Sequence, residues 1–176
     1  MKSNKIKGIF ARERVMAEDN PISRQLYQKS RFGEQKGGKF NYSLSEALFL
    51  MESRKMNIYD GRNSKLNEEE FTRKARKAEP HFWIRFAVFR DLRRRGHIVK
   101  TALKFGADFR VYDKGIKPGQ DHAKWIVFPV YEADSLTWYD FSAKNRVSHA
   151  TRKSLLIAVV DDEQDVTYYE VNWKRP

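Results

Sequence analysis

A tyrosine, a histidine and a lysine in the C-terminal half of the sequence form its most informative combination. Tyr112 lies near the end of the run 104–113, His122 follows ten residues later, and Lys153 precedes the apolar run 155–160. A phenol, an imidazole and an ammonium can supply a base, an acid and a stabilising positive charge. Because no carboxylate cluster accompanies them, they favour phosphoryl chemistry on RNA over metal-dependent hydrolysis.

Strand periodicity and turn signals predict how these three residues meet. Side chains alternate along an extended segment, so Tyr112 shares a polar face with Arg110. The turn at 114–120 returns the chain, which brings His122 close to Tyr112 at the open end of a hairpin. Lys153 lies where a helix ends and a strand begins, and its long side chain can reach across the sheet. We therefore expect three strand ends to converge.

Each of these residue types also has common structural roles. A strand tyrosine often packs against neighbours, a single histidine is often structural, and a lysine in a basic protein is often solvated. The remaining histidines flank a helix or lie within one, and no pair has metal-ligand spacing beside carboxylates: His81, His97 and His149. We therefore expect no metal and no other cofactor.

The composition is that of a folded, basic chain. Its 176 residues are 40% hydrophobic, enough to bury one large core or two small ones. A net charge of +12 makes nucleic acid the leading partner, because a positive surface attracts polyanions. The absence of cysteine excludes disulfides and thiolate metal sites. The polar start, residues 1–5, lacks the apolar stretch of a signal peptide, so we expect a cytoplasmic protein without a membrane partner.

Two domains are predicted, with their boundary near residue 78. Residues 1–78 combine short strands with helices and are expected to form a small N-terminal α/β domain. The pair Glu79-Pro80 then interrupts the helical pattern. Residues 79–176 are expected to form a mixed β-sheet packed with helices. The fold class is therefore α+β or α/β.

Local signals predict the elements of the first domain. Ser43 and Glu46 form a capping-box pattern before apolar residues at helical spacing. Asn67, followed by three glutamates, predicts a second helix over 67–78. The other predicted segments are two strands and a polar, glycine-rich loop: 6–10, 12–16 and 31–39.

The second domain is predicted to begin with a helix and to continue mostly as strands. The helix has Pro80 in its first turn and ends at the arginine cluster 93–95, which is either solvated or in contact with phosphate. The apolar run 155–160 predicts a central strand covered on both faces, and 161–165 predicts the turn to its partner. The remaining predicted elements are four strands and a helix: 98–103, 109–113, 125–131, 166–173 and 140–151.

Three blocks of the sequence resemble, in order, the archaeal tRNA-intron endonucleases, also called tRNA-splicing endonucleases. They are the Lys-Phe-Gly-Ala-Asp-Phe-Arg-Val-Tyr run with Gly115 after it, the pair Asp121-His122 before a Trp-Ile-Val strand, and the block 147–161. The resemblance covers residues 96–176, whereas residues 1–78 fit the small N-terminal domain of that family more loosely. It implies that the second domain is a catalytic nuclease domain.

The resemblance implies cleavage of precursor tRNA at bulge-helix-bulge junctions, without metal, leaving a 2′,3′-cyclic phosphate and a 5′-hydroxyl. Tyr112, His122 and Lys153 then match the family's general base, general acid and charge stabiliser. The residue types suit this reaction, in which the 2′-hydroxyl loses a proton and the 5′-oxygen gains one. A free phenol has a pKa of about 10 and is a poor base, so Tyr112 is either a base helped by nearby cations or an orienting group.

The resemblance also implies how RNA is held and how subunits assemble. Two side chains from a neighbouring subunit enclose an extruded bulge base in this family. Arg146 matches one of them and Trp173 lies near the other, although Trp173 also fits an ordinary strand aromatic. The acidic loop 131–135 matches a loop that enters a basic cleft on a partner subunit, through Glu132 or Asp134. One copy of each domain implies a homotetramer, with a heterotetramer containing a paralogous subunit as the alternative.

Two other functions are compatible with parts of the sequence. A metal-dependent nuclease of the restriction type needs acidic residues and a Glu-x-Lys triplet on adjoining strands. The sequence has that triplet at Glu34-Gln35-Lys36, in the predicted loop of the other domain. A non-catalytic RNA-binding or assembly subunit would need only basic charge and exposed aromatic side chains. Cleavage of a bulged RNA in the presence of EDTA separates these alternatives.

Overall fold

The chain forms two compact units, Met1–Phe82 and Trp83–Pro176. A computed structural model describes residues 5–176, except for the side chain of Phe105. Residues 1–4 of the polar start, from which the absence of a signal peptide is predicted, lie outside the described residues. Each unit contains a sheet and helices, so the predicted α+β class with a mixed sheet in the second domain is confirmed. Within the described part of the chain, no helix has the length and hydropathy needed to cross a membrane.

The first unit is built around one sheet. In chain order its described elements are β1 (Ile6–Ala11), β2 (Arg14–Glu18), α1 (Pro21–Ser30), β3 (Glu34–Lys36), β4 (Lys39–Ser43), α2 (Leu44–Glu52), β5 (Met56–Tyr59) and α3 (Glu68–Ala78). The strands pair in the order β3-β4-β2-β1-β5, and only β1 and β5 among these described strands run parallel. The crossover connection between these two parallel strands includes the helix α2.

Both capping patterns predicted in the first unit are confirmed. The side chain of Ser43 accepts from the amide of Glu46, and the Glu46 carboxylate accepts from the amide of Ser43. Asn67 and Glu70 make the same reciprocal pair at the start of α3. Each pair satisfies backbone amides that have no partner within the helix, which fixes where the two helices begin.

The polar segment before residue 43 contains more structure than predicted. Asn20 accepts from two amides and Pro21 occupies the first position of α1, a helix that is absent from the elements predicted from the sequence. The predicted loop 31–39 is wrong over its second half, where β3 and β4 form a hairpin. Gly37 and Gly38 make its turn with φ of 60° and 74°, a conformation that favours glycine at both turn positions. The Glu34-Gln35-Lys36 triplet therefore lies on a strand of the first unit.

The second unit contains a long helix, a mixed sheet and a second helix. In chain order its described elements are α4 (Phe82–Arg94, whose first residue belongs to the first unit), β6 (Val99–Thr101), a 3₁₀ turn (Leu103–Phe105), β7 (Phe109–Val111), β8 (Trp125–Tyr131), α5 (Trp138–Ala150), β9 (Ser154–Val160) and β10 (Val166–Val171). Pro80 lies before α4 rather than in its first turn, because His81 adopts a positive φ of 59° and the helix begins after it.

The second sheet has the strand order β10-β9-β8-β7-β6. Its described strands are antiparallel except for β8 and β9, which are parallel and joined through α5. The parallel pairing brings the start of β8 beside the start of β9, with Trp125 opposite Ser154. The prediction that 155–160 is a buried inner strand is confirmed, since β9 lies between β8 and β10 and its residues are largely buried.

Two helices cover the two faces of this sheet. On one face, Phe141 and Val147 of α5 pack against a core that includes Ile126 and Leu155. On the other face, Phe89 of α4 contacts Phe109 at a ring-centroid distance of 6.0 Å. Side chains that are neighbours across strands point to the same face. The face under α5 is therefore also the face that carries Arg110, whose register partner on β8 is Ile126.

Candidate active site

Tyr112 follows the last residue of β7, at the open end of the β7–β8 hairpin. Its amide donates to the carbonyl of Ile98 at 3.0 Å, which extends the pairing toward β6 by one residue. The Nδ1 atom of His97 lies 2.9 Å from the carbonyl oxygen of Tyr112, and since a carbonyl only accepts, this contact requires the proton on Nδ1. The Tyr112 side chain is 5% exposed. Its hydroxyl makes no hydrogen bond to any residue that the structure describes.

His122 lies on the connection that returns from Tyr112 to β8. The amide of Gln120 donates to the carbonyl of Lys117, and the Gln120 side chain accepts from the amide of Lys117, so a compact turn precedes the histidine. The amide of His122 donates to the carboxylate of Asp121 at 2.6 Å. The imidazole itself is exposed. The chain thus holds the backbone of His122 and leaves its ring accessible to a ligand.

Lys153 lies at the junction between α5 and β9. Thr151 caps the helix, and the next residue, Arg152, reverses the chain with a φ of 54°. The amide of Lys153 donates back to the carbonyl of Ser148, and its Nζ donates to the carbonyl of Thr151 at 2.9 Å. The amide of Ser154 then donates to the carbonyl of Lys124, which ties this junction to the start of β8. Lys153 is therefore fixed beside the strand that follows His122.

These three side chains line one pocket of about 470 Å³. Its other lining residues come from the same strand ends and their loops: Arg110, Gly119, Gln120, Asp121, Ala123, Ile126 and Thr151. The convergence of Tyr112, His122 and Lys153 expected from strand and turn signals is thus present in the structure. The parallel β8–β9 pairing explains it, because it places the helix end that carries Lys153 next to the hairpin that carries the other two.

Positive charge predominates in this pocket. Arg110 and Lys153 line it, whereas Asp121 contributes the single carboxylate among the lining residues given above. At the base of the hairpin, outside the pocket, two hydrogen bonds lower the pKa of the Asp113 carboxyl group. The stronger influence is the backbone amide of Lys114, and the second is the Nζ of Lys124, which lies 3.2 Å from an Asp113 carboxylate oxygen. That carboxylate therefore stays ionised and balances a neighbouring lysine rather than a pocket cation. The pocket suits an anionic ligand such as a phosphodiester.

The structure adds two residues to those that the sequence argument selected. His97 was assigned only to a helix flank, yet its ring contacts the Tyr112 backbone and packs edge-on against Trp125 with ring centroids 5.5 Å apart. Arg110 was used only to define a strand face, yet it lines the pocket. The alternation of side chains along a strand could have indicated that Arg110 lines the pocket, since it lies two residues before Tyr112. No local signal indicated His97, because its contact spans fifteen residues.

Arg146 and Trp173 lie on the surface beside the pocket. Trp173 is 59% exposed, and its ring contacts that of His149 at a centroid distance of 5.4 Å. These two rings line a second cavity of about 430 Å³, which shares Lys153 with the first. Arg146 is exposed on α5, one helical turn before His149, and is absent from the lining of both cavities. Both predicted RNA-binding side chains are thus accessible, and neither lies in the first pocket.

The predicted assembly loop is an exposed turn after β8. The amide of Glu132 donates to the carbonyl of Val160, and that of Asp134 donates to the carbonyl of Tyr131. The Tyr131 hydroxyl donates to Asp162, which raises the pKa of the phenol and anchors the start of the turn. Among the described residues, the carboxylates of Glu132 and Asp134 have no hydrogen-bond or ion-pair partner. The backbone of this loop is therefore held while its acidic side chains remain available.

Two other charged groups flagged by the sequence have partners within the second unit. At the end of α4, Arg95 pairs with Asp91 at 2.7 Å, and the hydroxyl of Tyr168 donates to the same carboxylate. The turn after β9 gathers the carboxylates of Asp161, Glu163 and Asp165 within 4.8 Å of one another. The Asp161 carboxylate accepts from the backbone amides of the other two residues, so the turn itself accounts for the grouping.

Comparison with known proteins places both units in one family. Residues 82–168 match the profile of the tRNA intron endonuclease catalytic C-terminal domain, and residues 6–72 match that of its N-terminal domain. A tRNA-splicing endonuclease of Thermococcus onnurineus is 41% identical over 161 residues, covering 92% of each chain. One from Methanothermobacter thermautotrophicus is 38% identical over 172 residues, covering 98% of this chain and 99% of its own. The chain belongs to the tRNA intron endonuclease family.

Proposed function

We propose that this chain is a tRNA-splicing endonuclease that cuts precursor tRNA at bulge-helix-bulge intron–exon junctions by a metal-independent transesterification. The observation that carries the proposal is the single pocket lined by Tyr112, His122 and Lys153. Family membership and relatives named tRNA-splicing endonuclease support the substrate class. The net charge of +12 supports a polyanionic substrate.

The proposed reaction moves one proton on each side of the phosphorus. The ribose 2′-oxygen attacks the adjacent phosphorus while its proton passes to Tyr112, acting as a phenolate base, or to a water that Tyr112 orients. The bond from phosphorus to the 5′-oxygen breaks, and His122 delivers a proton to that oxygen. Lys153 stabilises the additional negative charge on the pentacoordinate phosphate. The products are a 2′,3′-cyclic phosphate and a 5′-hydroxyl, and no water is consumed.

The donor set of the pocket supports a mechanism without a metal. Catalytic divalent metals on phosphodiesters are held by several carboxylates. The pocket lining contains the carboxylate of Asp121, and that group already accepts the amide of His122. Arg110 and Lys153 line the pocket and supply the positive charge that a metal ion supplies in a metal-dependent nuclease.

The proposal extends to how the bulge is held and how chains assemble. Arg146 and Trp173, both exposed, are proposed to enclose a bulge base bound in the pocket of a neighbouring copy. Glu132 or Asp134, exposed on a held turn, is proposed to contact a basic surface of another copy. A homotetramer results if these contacts join identical chains, and a heterotetramer results if a paralogous subunit supplies one side.

The central experiment is single-turnover cleavage of a bulge-helix-bulge RNA by the purified chain in EDTA. We expect cleavage, with a cyclic phosphate on one product and a 5′-hydroxyl on the other. Replacing His122 with Ala should slow cleavage about 10²- to 10⁴-fold, the usual contribution of a general acid. The same change at exposed His81, outside the pocket, is the matched control and should leave the rate unchanged. Equal rates for His122→Ala and the wild type would refute the proposal.

Solution mass, measured beside activity, tests the assembly. A mass of about four chains together with cleavage by the chain alone is expected for a homotetramer. Replacing both Glu132 and Asp134 with their amides should lower that mass without unfolding the chain, because the backbone of the turn is held independently of these side chains. A smaller, inactive species that becomes active on adding a second protein would favour the heterotetramer instead.

A further inference from the structure

Arg110 occupies the middle of β7, on the face of the sheet that carries the pocket. Its register partners are Lys100 on β6 and Ile126 on β8, and both Arg110 and Ile126 line the pocket with Tyr112. Arg110 and Tyr112 are two positions apart, so the two side chains project to the same side of the chain. The guanidinium is therefore presented to the pocket from a rigid strand rather than from a loop.

This guanidinium lacks a partner among the residues that the structure describes. Its Nε is buried without an acceptor, and the side chain makes no hydrogen bond or ion pair with any described residue. Other arginines of the chain pair with carboxylates, such as Arg95 with Asp91 at 2.7 Å and Arg24 with Asp19 at 2.6 Å. A half-buried guanidinium without an acceptor is costly to maintain unless a ligand supplies one.

We propose that Arg110 binds the non-bridging oxygens of the phosphate that is cleaved, a role that rests on the function proposed above. A guanidinium offers parallel N–H donors that match two oxygens of one phosphate, whereas an ammonium offers a point charge. Lys153 already donates to the carbonyl of Thr151. Arg110 thus sets the position of the phosphate between Tyr112 and His122, and Lys153 adds charge.

A double-mutant cycle between the protein and the RNA tests the contact. Single-turnover cleavage is measured for the wild type and for Arg110→Gln, on RNA with an oxygen or a sulfur at each non-bridging position of the cleaved phosphate. Arg110→Gln should slow the oxygen substrate about 10²-fold. Sulfur should slow the wild type at one position at least, and that slowing should shrink in Arg110→Gln because the partner is gone. Arg110→Lys should keep part of the charge effect but not the sensitivity to sulfur.

Two controls keep this test separate from folding and from the cleavage proposal. Arg14→Gln removes the same charge at an exposed position of β2, and it should not change the rate or the effect of sulfur. RNA with a 2′-deoxyribose at the junction cannot be cleaved, so it reports binding alone. Arg110→Gln should weaken its binding about tenfold and reduce the slope of log affinity against log salt by about one.

The outcomes of these measurements separate the two proposals. Cleavage by the wild type, combined with equal sulfur effects in the wild type and Arg110→Gln, would overturn the role of Arg110 alone. Failure of the wild type to cleave, both alone and with a paralogous subunit added, would overturn the proposed function, and an unchanged affinity of Arg110→Gln for the deoxy RNA would then overturn the contact as well. Thermal unfolding of Arg110→Gln within a few degrees of the wild type excludes misfolding as the cause of any loss.

Discussion

Two polar sites, one in each unit of the chain, differ in how their side chains are satisfied. In the first unit, the buried carboxylate of Glu46 accepts from the amides of Gly33 and Ser43. In the second unit, Arg110 and the hydroxyl of Tyr112 line a pocket without a hydrogen-bond partner among the described residues. A polar group that serves the fold is paired by the fold. A polar group that serves a ligand is held by its backbone and left unpaired.

Among the variants that test this comparison, the largest effect is expected from removing a charge from the pocket. Replacing Lys153 with Ala should slow single-turnover cleavage about 10²- to 10³-fold, because the ammonium stabilises charge that appears only in the transition state. The stability of the chain should change little, since the side chain is half-buried and its ammonium donates to a local carbonyl, that of Thr151. Cleavage rate and thermal unfolding, measured on the same preparation, check both parts.

Lys104→Ala provides the matched control for this change. Lys104 is exposed, lies in the same unit and is absent from the pocket lining, so its removal changes the net charge equally. If both variants lost activity to the same extent, general electrostatic attraction of RNA rather than the pocket would explain the loss. That result would contradict the proposal that the unpaired polar groups of the pocket serve the reaction.

Local signals in the sequence predicted elements of both units. The predicted capping box at Ser43 and the predicted N-cap at Asn67 depend on residues close in sequence, and both are present in the structure. Alternation and turn residues predicted the hairpin that joins Tyr112 to His122. Asn20 and Pro21 carried an equally clear helix-start signal, so α1 was predictable, although the polar character of the segment obscured it.

Contacts distant in sequence could not be predicted in the same way. The Lys153 junction lies beside the hairpin because β8 and β9 pair in parallel register, and no short pattern specifies that register. The His97 contact with Tyr112 depends on the pairing of β6 with β7. Whether Arg110 has a hydrogen-bond partner depends on the positions of all the side chains around it. The three-dimensional structure is therefore needed to see that its Nε lacks one.

A second prediction concerns the paired carboxylate of the first unit. Glu46→Ala should lower the free energy of unfolding by about 2–3 kcal/mol, because it leaves the buried amide of Gly33 without an acceptor and removes half of a capping box. The rate of cleavage per folded molecule should stay unchanged. Urea denaturation, with cleavage measured well below the transition, checks both statements.

Ser43→Ala is the graded control for the Glu46 variant. It removes the cap of the same helix but leaves the amide of Gly33 bonded, so the expected loss is about 1 kcal/mol. A Glu46 variant that remained as stable as the wild type but cleaved slowly would contradict the comparison. In that case a polar group paired by the fold would also serve the reaction.

The smallest expected effect compares two tyrosines and appears only at high pH. Tyr42 of the first unit is fully buried, and this burial raises its pKa from 10.0 to about 12. The unfolded chain loses this proton near pH 10 and the folded chain only near pH 12, so stability falls as the pH rises between these values. Tyr42→Phe keeps the ring and removes the ionisation. Its stability should therefore decline less, by about 1–2 kcal/mol, over this range.

The measurement is urea denaturation of the wild type and Tyr42→Phe at several values between pH 9 and about pH 12. Tyr168, whose pKa is also raised by burial, is present in both proteins, so only the difference between the two curves reports Tyr42. Tyr112→Phe supplies the comparison, because its hydroxyl has no partner in the described structure and lines an open pocket. Tyr112→Phe should slow cleavage, whereas Tyr42→Phe should leave the rate of cleavage per folded molecule unchanged. Parallel curves for Tyr42→Phe and the wild type would show that Tyr42 does not differ from a solvated phenol.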